Sequence, residues 1–182
     1  DVGCGDGALL THLVKNLDVN GRGIELSQAG VNATVAQGLS VVQGNADTDL
    51  ADYPTQAFDY VVLSQTLQAT RNPKQVVSDL VRIGAKAIVS FPNFGYWQVR
   101  WQLLLGGRMP RTGILGEDWF ETQNIHLCTI LDFIDLCQEL GIVIERGISV
   151  NHQGRTSGIS NSGWAANFFG EQAVFVLSSE KS

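Results

Sequence analysis

The run Asp1-Val2-Gly3-Cys4-Gly5-Asp6-Gly7 constrains this chain more than any other stretch. Three glycines alternate with other residues and lead straight into Ala8 to Leu17. There Leu9, Leu10, Leu13, Val14 and Leu17 repeat with a helical period. A strand end, a glycine turn and a helix start make a cradle for a small ligand. Glycine lets the main chain turn tightly and lets a ligand come close, and the free N–H groups of the first helical turn favour negative groups.

The spacing alone leaves the ligand open. Gly3-x-Gly5-x-x-Ala8 also fits the relaxed dinucleotide pattern. A second signal follows at Glu25, which closes the strand-like run Gly21-Arg22-Gly23-Ile24-Glu25. A carboxylate there can take both ribose hydroxyls. Charge then separates the candidates. Asp1, Asp6, Glu25 and Asp47 are expected at strand ends along one edge. Such a rim repels a pyrophosphate. It attracts S-adenosylmethionine (SAM), whose sulfonium and ammonium outweigh its carboxylate. Opposite charges at contact gain about 4 kcal/mol at intermediate dielectric before desolvation. SAM or its demethylated product is therefore preferred. A nicotinamide dinucleotide is the weaker alternative, and solvated turn carboxylates without a ligand are the third.

At 182 residues the chain is expected to form one domain with a sizeable core. Its net charge of -6 argues against general nucleic-acid or anionic-membrane binding, which need a positive field. No apolar run reaches the ~18 residues of a membrane span, and no signal-peptide pattern appears. Cys4, Cys128 and Cys137 form no CxxC pair and suit a reducing cytoplasm. His12, His126 and His152 lack metal-ligand spacing, so no metal is expected. The chain opens where a first strand should end. An open parallel sheet without its central strand exposes unpaired edges, so residues upstream of Asp1 are expected.

Strands and helices then alternate. Ser27 can cap a helix over Gln28 to Gln37, stopped by Gly38, and Ser40 to Gln43 reads as a strand. Phe58 to Ser64 is a strand apolar enough for burial on both faces. Asn72-Pro73 opens a helix that buries Val76, Val77, Leu80 and Ile83, and Ala87 to Phe91 is the next strand. This alternation predicts an α/β fold, a doubly wound, mostly parallel sheet. Its ligand would lie outside the strand C-termini, among the glycine turn, Glu25, Asn45-Ala46-Asp47, Gln65-Thr66 and Pro92-Asn93.

Beyond Pro92 the pattern changes. Gln98 to Leu105 is a helix with Trp97, Trp101, Leu104 and Leu105 on one face, and Val99 and Leu103 on another. A short helix apolar on two sides is expected to be sandwiched, either in its own core or under a partner or lid. Residues 94–123 thus read as an inserted lid or partner-binding segment. Arg100, Arg108 and Arg111 form a local basic patch, solvated or facing an acidic partner or substrate. Thr129-x-x-Asp132 caps a helix from Leu131 to Leu140 that turns Cys137 inward. His126 is either functional or bonded to a loop. Ile142 to Val150 is a strand, His152 to Asn167 a mobile polar loop, and Glu171 to Ser178 a final strand. The last two strands are expected to close the sheet edge as an antiparallel hairpin, seven strands in all.

Phe58-Asp59-Tyr60-Val61-Val62-Leu63-Ser64-Gln65-Thr66-Leu67-Gln68-Ala69, Ser90-Phe91-Pro92-Asn93-Phe94-Gly95, Asn124-Ile125-His126-Leu127-Cys128-Thr129-Ile130 and the tail Asn167 to Leu177 resemble the methionine-biosynthesis protein MetW family. More broadly the chain resembles class I SAM-dependent methyltransferases. The resemblance implies a cytoplasmic protein of methionine biosynthesis that binds SAM and acts with MetX, the homoserine O-acyltransferase. It implies that Gly3, Gly5 and Gly7 line the methionine and ribose, Asp1 faces the ammonium, Glu25 holds the ribose hydroxyls and Leu26 packs on adenine. Gln65 would lie near the methionine end. Where many relatives have Asp after the third-strand glycine this chain has Asn45, followed by Ala46; an amide oxygen still accepts from the adenine amine. Two functions stay open. One is a SAM-responsive accessory subunit of the acyltransferase. The other is a methyltransferase for a small molecule, for which no activated base stands out in the sequence.

Overall fold

The computed structural model describes residues 1–113, 115–160 and 162–179. Ile114, Asn161 and residues 180–182 belong to the spans read above as the inserted segment, the polar loop and the chain end, and they lie outside the described residues. The glycine turn enters helix α1 (Ala8–Leu17), followed by strand β1 (Arg22–Glu25), α2 (Gln28–Ala36) and β2 (Ser40–Gln43). Then come β3 (Phe58–Ser64), α3 (Pro73–Ile83), β4 (Gly84–Pro92) and α4 (Trp97–Gly106). The chain continues through α5 (Ile130–Glu139), β5 (Ile142–Val150), β6 (Thr156–Gly158), α6 (Trp164–Phe169) and β7 (Gln172–Ser179).

Local chemistry sets the helix starts. The Ser27 side chain accepts from the Gly30 N–H, and the Asn72 side chain from the Gln75 N–H with Pro73 in the first turn. Thr129 and Asp132 form a reciprocal capping box.

The sheet departs from the expected seven-stranded, mostly parallel arrangement. β1 and β2 pair parallel on their own, and a five-stranded mixed sheet runs in the order β3-β4-β7-β5-β6. Only β1–β2 and β3–β4 are parallel; β4–β7, β5–β7 and β5–β6 are antiparallel. Val2 joins the halves, bridging Ile24 of β1 and Leu63 of β3. The two late strands do pair antiparallel, as β5–β7, but not as the expected edge hairpin: β6 and α6 lie between them in the chain, β7 lies inside the sheet and β6 takes the edge. The span expected as a mobile polar loop holds β6 and α6, because Asn167 is 3 % exposed and bonded into the core. Nor is β3 buried along its length: Asp59 and Tyr60, near its start, are exposed.

One apolar core links these layers. Phe91 of β4, Phe133 of α5 and Phe175 of β7 meet with centroids 4.8, 4.9 and 6.0 Å apart. Val76, Val77, Leu80 and Ile83 of α3 are each buried against the same core. Burial of side chains of this size contributes about 1.5–3 kcal/mol each, so this end of the sheet is the rigid platform. Helix α1 is held more lightly: Leu10 is buried, while Leu9 and Leu17 are exposed.

Candidate functional site

The glycine turn is built by three left-handed residues, Gly3, Gly5 and Gly7, with φ of 69°, 57° and 80°. They differ in what surrounds them. A Cβ on Gly3 would sit 2.7 Å from Thr66, and one on Gly7 2.9 Å from Thr34, whereas one on Gly5 would meet nothing within 4 Å. The space above the turn therefore opens at Gly5. Thr34 supports the turn from below by donating to the Gly5 carbonyl at 3.1 Å. Cys4 is a packing residue there; burial is the largest influence on its thiol and raises its pKa, and the Thr34 hydroxyl works against that. Cys128 and Cys137 are each pushed up to about 12, chiefly by burial, so neither is a ready thiolate.

Glu25 reaches back to the turn from the end of β1. Its carboxylate accepts from the Gly5 N–H at 2.9 Å and the Ser27 N–H at 2.8 Å. Burial raises its pKa, but these main-chain bonds outweigh burial and hold it below the usual carboxylate value. The Ser27 hydroxyl and the Leu26 N–H add to the same lowering. Leu26, next in the chain, is 65 % exposed, an apolar side chain standing free beside the notch.

The other residues of the expected rim divide. Asp1 has one buried carboxylate oxygen, Oδ1, with no hydrogen-bond partner among the described residues. Asp6 accepts from the Ala8 N–H at 3.0 Å, and Asp47 accepts from the main chain of Arg71 and Asn72, so both hold loops. The Asn45 side-chain oxygen accepts from the Asp47 N–H at 2.9 Å and keeps one lone pair. Ala46 packs partly into the core. Gln65 is exposed, with a left-handed φ of 53° outside glycine, the kind of strain that gathers at working sites. Its N–H donates to the Ser90 carbonyl at 3.0 Å, which ties the end of β3 to β4.

Asn93 does not line the notch. It is 1 % exposed and acts as an internal hub. Its amide donates to the carbonyls of Asn167 and Gly170 and accepts from the N–H of Gly95 and Ile130. His126 contributes its backbone N–H, which donates to the Gln68 carbonyl at 2.9 Å, while the residue itself is exposed. Sequence reasoning missed a pair on the same side of the sheet: His152 Nδ1 lies 2.8 Å from Glu171 Oε1. Nineteen residues separate the two, and only the β5–β7 pairing brings them together.

Helix α4 is not sandwiched. Val99 packs with Tyr96 and Leu115 in a small separate cluster, but Leu104 is 74 % and Leu105 77 % exposed. Trp101, Leu105, Met109, Arg108 and Arg111 line a groove of about 480 Å³. Two arginines of the basic patch are engaged: Arg100 donates to the Gly95 carbonyl and lies over the Phe168 ring, and Arg111 pairs with Asp118 at 3.1 Å.

The family model described as "Methionine biosynthesis protein MetW" matches residues 1–177. The chain belongs to the MetW family. A curated relative, the bifunctional methionine biosynthesis protein MetXA/MetW of Rhodopirellula baltica, is 34 % identical over 157 residues. That match covers 81 % of this MetW-family chain and 25 % of the relative. An ajmaline N-methyltransferase of Rauvolfia serpentina is 32 % identical over 93 residues, covering 47 % of this chain and 31 % of that one. The chain thus spans about a third or less of the length of these relatives. Among solved structures, a SAM-dependent methyltransferase of Thermotoga maritima superposes with a TM-score of 0.69 at 14 % identity, covering 98 % of this chain and 80 % of the other. The [4+2]-cyclase SpnF superposes at 0.68 and 18 %, covering 100 % and 75 %. The fold is that of class I SAM-dependent methyltransferases. Two such different neighbours leave the activity to be argued from the site.

Proposed function

We propose that this MetW-family chain binds SAM, or its demethylated product, over Gly5. We further propose that it serves the homoserine O-acyltransferase MetX as an accessory or regulatory subunit. The observation that carries the partnership is the relative whose name joins MetXA and MetW in one bifunctional protein. Two features support the ligand: the open space at Gly5 and the unspent buried oxygen of Asp1. Asp1 would accept from the ammonium, Glu25 from the ribose hydroxyls, and Leu26 would cover the adenine. Asn45 and Ala46 would border the adenine edge, Gly3 and Gly7 shape the turn, and Gln65 lies toward the methionine end. SAM would supply a positive sulfonium that the acidic rim attracts.

Residues 94–123 would carry the partner, because α4 leaves its aromatic and leucine side chains uncovered. SAM can regulate only if it binds the free and complexed states with different affinity, by a coupling of typically 1–3 kcal/mol. The decisive experiment mixes the protein with the acyltransferase and homoserine, and follows acyl transfer with and without SAM. A change in rate that depends on this chain, and responds to SAM, is expected. No complex and no change in rate would remove the accessory role. Transfer of the SAM methyl group to a small molecule is the second reading, and the His152–Glu171 pair is the observation that favours it.

A further inference from the structure

The pair lies where β5 leaves the sheet and β7 enters it. Glu171 is fixed on both sides through its backbone, donating to the Val150 carbonyl at 3.1 Å and accepting from the Asn93 N–H at 2.7 Å. Its side chain is 4 % exposed, whereas that of His152 is 57 % exposed. Burying a carboxylate costs several kcal/mol, and an ion pair to an exposed imidazole returns little of it. The second oxygen, Oε2, is buried as well. Tyr96 stands close by and is itself buried; burial first, then the negative charge of Glu171 and a hydrogen bond to its carboxylate, raise the pKa of its hydroxyl, so Tyr96 shares in holding Glu171.

The chemistry of the pair follows from its geometry. An imidazole that turns Nδ1 to a buried carboxylate keeps its proton there, which leaves the Nε2 lone pair free as an acceptor. The same carboxylate stabilises the imidazolium once Nε2 has taken a proton. Location supports the role. Ser64 of β3 pairs with Ser90 of β4, and Pro92 of β4 with Gln172 of β7, so the C-terminal mouths of β3 and β4 and the entrance of β7 share one edge. Adjacent strands lie ~4.8 Å apart. The entrance of β7 is therefore about 10 Å along the edge from Gln65.

We infer that His152, oriented by Glu171, is the proton acceptor for a small methyl-accepting molecule that carries an ionisable phenol, imidazole or thiol. This rests on SAM occupying the notch over Gly5. In the step, the lone pair of the acceptor's heteroatom forms a bond to the methyl carbon. The carbon–sulfur bond breaks, its electron pair stays on sulfur, and the sulfonium becomes a neutral thioether. The proton leaves the heteroatom for His152 Nε2 and passes on to water, while the Glu171 carboxylate keeps its contact with Nδ1. His152 is the catalytic residue and Glu171 a positioning residue.

Two readouts test this. Long-range 1H–15N correlation spectra of the SAM-free protein should show neutral His152 protonated at Nδ1, and Glu171→Ala should move that proton to Nε2. The second uses SAM labelled in its methyl group, with catechol, imidazole and 2-mercaptoethanol as acceptors. Wild type should label at least one of them. His152→Gln should lower that rate 100-fold or more, with the SAM dissociation constant unchanged by calorimetry. Three results would overturn the proposal: an Nε2–H imidazole in wild type, no labelled product from a protein that binds SAM, or undiminished labelling by His152→Gln. Failure of the wild type to bind SAM would be a separate result, overturning the ligand assignment and this proposal together.

Discussion

At the scale of single residues, Glu25 has two duties. It anchors the main chain of Gly5 and Ser27, and in the proposed complex it would also accept from the ribose hydroxyls. Glu25→Ala removes both. With charge-assisted hydrogen bonds worth about 1.5–3 kcal/mol each, SAM affinity measured by calorimetry should fall at least tenfold; an unchanged value would show the ribose to lie elsewhere. The lowered pKa of Glu25 also fixes a sign. Its contribution to stability is complete above the ordinary carboxylate value of ~4.3 and is lost as the pH falls through the lower folded value. Glu25→Gln should therefore flatten the acid limb of a plot of denaturation midpoint against pH. The glycines permit a sharper contrast. Gly5→Ala adds a methyl to open space and pays only the left-handed backbone cost, about 1–2 kcal/mol. That is a loss of roughly 2–8 °C in Tm for a chain of this size, with ligand binding blocked. Gly3→Ala drives the same atom to 2.7 Å from Thr66 and should destabilise the protein more, by thermal denaturation.

At the scale of elements, what was legible in the sequence was local. The caps at Ser27, Asn72 and Thr129 depend on residues three or four apart, and each forms as the spacing predicts. The glycine turn and Glu25 were expected beside one crevice, a helix and a short strand apart, but the hydrogen bond that ties Glu25 to the Gly5 N–H was not legible. Sheet order was not. β7 enters between β4 and β5 through pairings that join residues far apart in the chain, and no period in the sequence encodes them. β6 is Thr156-Ser157-Gly158, without an apolar residue, and α6 has six residues, too short to show a period. Asn93 looked like a rim residue because it follows a strand, yet its side chain serves four main-chain groups from the β4–α4 turn, the start of α5 and the α6 region. Asn93→Ala takes this partner from the Asn167 and Gly170 carbonyls and the Gly95 N–H, at about 1–3 kcal/mol for each one that finds no water, while the Ile130 N–H keeps Asn167 Oδ1 at 3.1 Å. Urea unfolding should show a loss of about 3 kcal/mol or more. Thr129→Ala, which removes one cap, should cost about 1 kcal/mol. Equal effects would mean that Asn93 is not the hub.

At the scale of the whole molecule, order and exposure are unevenly shared. The phenylalanine core and α3 make one end rigid, while Trp97, Trp101, Leu103, Leu104 and Leu105 of α4 face outward. Composition could place these side chains on a helix but not say what covers them, because a core-facing and a partner-facing helix have the same pattern. A stable interface buries about 800 Å² on each side and draws most of its energy from a few central aromatic and arginine side chains. The groove between Trp101, Leu105 and Arg108 has that character. Introducing two carboxylates there, Trp101→Glu with Leu105→Glu, would force uncompensated charge into a dry contact. Because both side chains are already exposed, the Tm of the isolated protein should stay within about 2 °C, and SAM affinity should not move. Binding to the homoserine O-acyltransferase, followed by calorimetric titration or sedimentation, should weaken at least 100-fold, the loss expected when a central anchor worth about 3 kcal/mol is removed. Retained affinity in the doubly substituted protein would place the partner on another face, and would leave the outward leucines of α4 to a second copy of this chain, visible as dimerisation in the same sedimentation experiment.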